Sequence, residues 1–102
     1  MFPQFRAAIS FNNDIGSWNV SSVTTMQVMF FGANNFEHPD LSKWDVSSVI
    51  NFEQMFRGAS VFNADISPWN VSSATNMREM FYAATNFDAD ISAWDVSSVT
   101  DM

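Results

Sequence analysis

The residues best suited to chemistry here are a lone histidine, many serines and a row of carboxylates. Their spacing argues against catalysis. His38 is the only histidine, beside Pro39, in a setting where an imidazole is ordinarily solvated. A Ser–His–Asp site needs one distinguished nucleophile. The serines instead recur as Ser21-Ser22, Ser47-Ser48, Ser72-Ser73 and Ser97-Ser98. Three scattered glycines make no phosphate-cradling loop. Carboxylate pairs of the glycosidase kind arise only by accident of the recurrence. The chain has no cysteine, which removes disulfides, thiolate zinc sites and thiol nucleophiles together. An enzyme would need a site that breaks the recurrence, and none is found. No enzyme is expected.

Two sets of polar residues carry more information. Asp14, Asp40, Asp65 and Asp90 recur without exception. A carboxylate just before an apolar segment suits the capping of backbone N–H groups at a turn. Calcium held between successive carboxylates is the alternative metal reading, since hard oxygen ligands suit it. One carboxylate per repeat is sparse for that purpose, and no other cofactor is expected. The second set alternates between neutral and acidic: Asn19, Asp45, Asn70, Asp95, and likewise Asn12, Glu37, Asn63, Asp88. Like charges about 5 Å apart cost on the order of 1 kcal/mol even in water. Alternation relieves that repulsion and predicts amide-to-carboxylate bonds along the column. Asn19-Val20-Ser21 and Asn70-Val71-Ser72 are also the two N-x-S sequons. On a eukaryotic secretory route both asparagines are candidate glycosylation sites, two repeats apart.

What must position these residues is a repeat. The tryptophans Trp18, Trp44, Trp69 and Trp94 are 26, 25 and 25 residues apart. Phe5/Phe30/Phe56/Phe81, Ala8/Ala33/Ala59/Ala84 and Phe11/Phe36/Phe62/Phe87 keep step with them. The units run approximately over 2–26, 27–52, 53–77 and 78–102. The 26-residue unit carries its extra residue between Phe36 and Asp40, in a loop containing proline. Ile15-x-x-Trp18-x-Val20 predicts a short strand with polar outward residues. Val23, Met26, Met29, Phe30, Ala33 and Phe36 recur at steps of three and four, which predicts a short helical segment, with Ser21 or Ser22 at its N-cap. The expected fold is therefore an α/β repeat solenoid, leucine-rich-repeat-like. It has four coils of one parallel strand and one short helix each, and the Trp column forms the structural core. A single tandem-repeat domain is expected.

Composition narrows the partners. The chain has 102 residues, of which nearly half are apolar, with eleven Phe, and a net charge of -7. The four basic residues Arg6, Lys43, Arg57 and Arg78 are scattered. Phosphate binding needs clustered Lys and Arg, so nucleic acid is not an expected partner. No run of about 18 apolar residues predicts membrane insertion. The opening residues lack the pattern of a secretion signal.

The unit resembles the repeats of BspA-like leucine-rich-repeat surface proteins. Met55-Phe-Arg-Gly-Ala-Ser-Val-Phe-Asn-Ala-Asp-Ile-Ser-Pro-Trp-Asn-Val-Ser-Ser carries the resemblance. It extends over essentially the whole chain. It implies a non-catalytic, extracellular or cell-surface protein of an adhesion and surface-display group, without naming a ligand. Met1 and Met102 fall at the same point of the repeat, and no polar capping unit is seen. End-to-end continuation is expected, either with copies of itself or with flanking repeats. The functional expectation is an extracellular structural repeat protein forming a filament or surface stalk. The alternative is an adhesin that recognises a protein or glycan. An adhesin needs a surface patch that departs from the repeat, but the off-consensus residues Gln27, Val28, Phe31, Arg78, Glu79 and Tyr82 lie mainly in the expected helical segment and not on the strand face, which favours the structural reading.

Overall fold

The computed structural model describes residues 18–33, 40–88 and 90–102. The start of the first repeat, with Asp14, and the inserted loop, with Glu37 and His38, lie outside the described residues.

Among the described residues, each repeat is a run of β-turns. In one stretch, Trp44 N–H donates to Leu41 O at 3.1 Å, Val49 to Val46 at 3.0 Å and Met55 to Phe52 at 3.1 Å. Arg57 then donates to Gln54 at 3.3 Å, Ala59 to Phe56 at 3.0 Å and Phe62 to Ala59 at 3.1 Å. Every one of these bonds spans three residues, the signature of a β-turn. Polar side chains set the first two. Asp40 Oδ1 accepts from the Ser42 amide, and Asp45 Oδ1 from the Ser47 amide. These are Asx-turns, which offer the chain an alternative to an extended strand.

The apolar row that follows is held in turns by residues of positive φ. Met29 N–H closes on Met26 O across Val28 at φ 53, and Ala33 on Phe30 across Gly32 at φ 70. A third turn residue of positive φ is a type II turn. The next repeats reproduce both, with Gln54 and Glu79 at φ 55 and 53, and Gly58 and Ala83 at φ 74 and 60. A β-branched residue such as Val28 is strained there.

Repeats are joined by main-chain bonds between residues 24 to 26 positions apart. Val28, Phe30 and Gly32 donate to Glu53, Met55 and Arg57, at 2.8–2.9 Å. Gln54, Phe56 and Gly58 donate in turn to Arg78, Met80 and Tyr82. Isolated parallel bridges run Thr25 to Asn51, Asn51 to Asn76 and Asn76 to Asp101.

Side chains stack along the same direction. Trp44–Trp69 and Trp69–Trp94 ring centroids are 6.3 and 6.4 Å apart and nearly parallel. Phe30–Phe56 and Phe56–Phe81 are at 5.6 and 5.8 Å. These are favourable offset separations for aromatic pairs. The indole N–H is satisfied as well: Trp69 Nε1 donates to Leu41 O at 2.8 Å and Trp94 Nε1 to Ile66 O at 3.1 Å. Phe30, Phe52, Phe56 and Phe62 are fully buried, and no polar residue is buried among the described residues.

This overturns the expected α/β leucine-rich-repeat-like solenoid of four coils. Among the described residues there is no helix, and pairing is limited to single-residue bridges. The body is compact, measuring 34 × 26 × 21 Å with a radius of gyration of 12.3 Å. The physical reason lies in the turns. Three-residue closure mimics the step of a short helix in an apolar pattern. A residue of positive φ in each pair of turns then forbids the helix from propagating. The expected strand is likewise bent between two Asx-turns, and the serine expected to cap a helix closes a turn instead.

Candidate interaction site

The Asx-turns form two exposed rows. In one, Asp40, Asp65 and Asp90 each accept the amide of the serine two residues on. In the other, Asn19, Asp45, Asn70 and Asp95 do the same. The serine hydroxyl adds a second bond at 2.6–2.7 Å to Asn19, Asp40, Asp45, Asp65 and Asn70. Serine hydroxyl bonds first, and amide bonds second, hold Asp40, Asp45, Asp65, Asp90 and Asp95 below the ordinary carboxylate value of 3.8. Their oxygens serve their own turns. No group of three or more potential metal ligands converges among the described residues. Asp14 lies outside them.

The alternating Asn/Asp row departs from expectation in one respect. Its side chains bond within their own repeat, and among the described residues no amide of this row donates to a neighbouring carboxylate. Amide-to-carboxylate rungs are found on another face. Gln27 Nε2 and Asn76 Nδ2 both donate to Glu53 Oε2, at 3.1 and 3.3 Å, and Gln54 Nε2 donates to Glu79 Oε1 at 3.3 Å. Bonds across repeats also join Asp88 N–H to Asn63 Oδ1 at 2.8 Å.

Of the off-consensus residues, Gln27, Phe31, Glu79 and Tyr82 make contacts on this second face. Arg57 is central, and reading the sequence alone passed it over. Its guanidinium lies 5.6 Å from the Phe31 ring centre and 4.8 Å from that of Tyr82. Its Nη1 is 3.1 Å from Glu79 Oε1. Cation–π contact and a half-exposed ion pair thus hold one side chain between two rings. A signal for this was present in the column Arg6, Phe31, Arg57, Tyr82, which alternates cation and ring.

The third feature is the outer face of repeat 78–102. Trp94, Phe81 and Ile91 are only half-buried, whereas their equivalents Trp69, Phe56 and Ile66 are at most 4% exposed. Beside them a groove of about 580 Å³ is lined by Met80, Phe81, Tyr82, Ile91, Trp94 and Met102, among others. The N–H groups of Glu79, Phe81 and Ala83 occupy the place of donors used in the two preceding repeats. Among the described residues they make no hydrogen bond. A ring face, a groove and a row of donors therefore lie together. No helix among the described residues is long and apolar enough to cross a membrane.

No curated protein and no solved structure matches this chain. A family model described as Mycoplasma protein of unknown function, DUF285, matches residues 1–102. A match over the full sequence agrees with side-chain columns that recur from one repeat to the next, and the chain belongs to the DUF285 family.

Proposed function

We propose that this is a non-enzymatic structural repeat protein of the cell surface or extracellular space, which builds a filament or stalk by end-to-end contact. One observation supports the reading: beside Trp94 and Phe81, repeat 78–102 presents three N–H groups that are unbonded among the described residues, in the arrangement that the preceding repeats use to hold a neighbour, whether a second copy or a flanking repeat. Unpaired backbone rows of this kind are templates for further pairing. A head-to-tail contact of this type is heterologous and extends the array. The surface location rests on the resemblance to BspA-like surface proteins. Light scattering on the purified chain across a concentration series tests the reading. Growth of species larger than a monomer is expected, reduced in Trp94→Ala, and a stable monomer at millimolar concentration overturns it.

Glycosylation belongs to the same reading. Asn19 and Asn70 are exposed, and only Oδ1 of each is engaged. Nδ2, the atom that receives a glycan, makes no hydrogen bond among the described residues. If the chain passes through a eukaryotic secretory route, peptide mass spectrometry of native material should find both modified, and unmodified Asn19 and Asn70 refute it. The second reading, a binding module for a protein or glycan, is favoured by the Phe31–Arg57–Tyr82 column, where Tyr82 is 60% exposed. Retention on a glycan or protein array that is lost in Tyr82→Ala distinguishes it.

A further inference from the structure

We infer that the side of the stack around Arg57 is a recognition site for an uncharged, polyhydroxylated ligand, a neutral sugar unit of a glycan. The inference rests on the binding-module reading above and specifies what that module takes.

The site is built by side chains that hold one another. Arg57 lies between the Phe31 and Tyr82 rings, at 5.6 and 4.8 Å from their centres. Its Nη1 and Gln54 Nε2 both reach Glu79 Oε1, at 3.1 and 3.3 Å. Gln27 Nε2 and Asn76 Nδ2 both reach Glu53 Oε2, at 3.1 and 3.3 Å. Each carboxylate thus spends one oxygen on two donors. Among the described residues, no hydrogen bond reaches Glu53 Oε1 or Glu79 Oε2. Arg57 has Glu79 as its ion-pair partner for five N–H donors. These acceptors and donors are already fixed by their neighbours, so a ligand that meets them has little side-chain freedom left to freeze. The site is lateral, because Glu53, Gln54 and Arg57 are half-buried with a repeat bonded on either side of them.

The chemistry of these groups selects the ligand. Arg57 and Arg78 stand among Glu53, Glu79 and Asp101, the last two repeats being joined here by the Asn76–Asp101 bridge. An incoming anion therefore meets carboxylates and an incoming cation meets guanidinium groups, and neither charge is favoured. A sugar hydroxyl both donates and accepts. Neighbouring hydroxyls can donate to Glu53 Oε1 or Glu79 Oε2 and accept from Arg57, and hydrogen bonds to ionised partners are the stronger kind. The Phe31 and Tyr82 rings on either side of Arg57 give the C–H groups of a sugar ring an apolar border. A few fixed polar groups beside aromatic surface are the ordinary make-up of a small-ligand site.

The test is retention of the purified chain on an array of neutral, uronic-acid and amino-sugar oligosaccharides, run beside a protein array. Retention on the neutral set above both charged sets is expected. Glu53→Gln and Glu79→Gln keep a carbonyl oxygen for the internal donors and replace the other oxygen by an amide. Each should weaken retention by about tenfold, the effect of losing one hydrogen bond to a charged group. Arg57→Lys keeps the charge and loses the planar fork, and should weaken it as well. Asp45→Asn, in the Asx-turn row, should leave it unchanged. Melting temperatures show that each variant is folded. Retention on the uronic-acid or amino-sugar set alone overturns the uncharged ligand, and neutral retention indifferent to all three cluster variants overturns the site. Retention on the protein array alone, lost in Tyr82→Ala, overturns the glycan and leaves the binding-module reading standing. Retention on neither array ends both.

Discussion

Repeats 53–77 and 78–102 have nearly the same apolar residues and very different surroundings. Phe56, Ile66, Trp69 and Val71 are buried in the first, while Phe81, Ile91 and Trp94 are half-buried and Val96 is exposed in the second. The turns are the same in both, closed by the same three-residue bonds. Local conformation is therefore written into each repeat, but burial comes from neighbours on both sides. A repeat cannot bury its own aromatic face, which is the general logic of stacked repeats.

The sharpest way to break this comparison is to truncate equivalent rings. Phe56→Ala should cost about 3–5 kcal/mol in denaturant unfolding, as for a fully buried aromatic. Phe81→Ala should cost about 1–2 kcal/mol because less surface is lost from water. Equal losses would show that the outer repeat is as well packed as the inner one. The positive-φ column gives a second test. Gly58→Ala should lose about 1 kcal/mol, and Ala83→Gly should gain a similar or smaller amount. The cause is φ and not space, since a Cβ at Gly58 would meet its nearest neighbour, the Gly32 backbone, at 3.7 Å.

The third test uses pH. Five Asx-turn carboxylates titrate below their ordinary value in the folded chain. A depressed folded value means that the unfolded chain binds protons first as pH falls. Their contribution is present above about pH 4 and is lost below it. The Tm should fall on acidification from about pH 4 towards pH 2. Asparagine makes the same turn at Asn19 and Asn70, so Asp45→Asn with Asp95→Asn should keep the turns and flatten part of that fall. An unchanged profile would remove the turns as its cause. The smallest effect is expected at the Arg57–Glu79 pair. Glu79→Gln should cost less than about 1 kcal/mol, because both side chains are partly solvated.

Much of this was legible in the sequence. The 25-residue recurrence predicted which side chains lie beside one another: Trp44, Trp69 and Trp94 do stack, and so do Phe30, Phe56 and Phe81. The recurrence did not reveal the backbone. Met26, Met29, Phe30 and Ala33 are spaced as in a helix because a chain of turns also brings every third residue to one side. Val28 at positive φ is what separates the two, and valine gives no warning of it, whereas Gly32 does. The alternating Asn and Asp residues were visible too, but not that each would spend its oxygen on the serine two residues later.

The sequence by itself determined the register, because a period of 25 or 26 residues leaves one way to superpose four tryptophans. It also determined the turn-forming pairs, because an Asp or Asn two residues before a serine bonds locally whatever surrounds it. Only the tertiary structure showed that the apolar row bends through type II turns, since Val28, Gln54 and Glu79 take positive φ with no glycine to announce it. Only the tertiary structure brought Arg57 between Phe31 and Tyr82, residues 26 and 25 positions away, and left Trp94 half-buried. Contacts between repeats depend on what is stacked beside each one, and no single repeat contains that information.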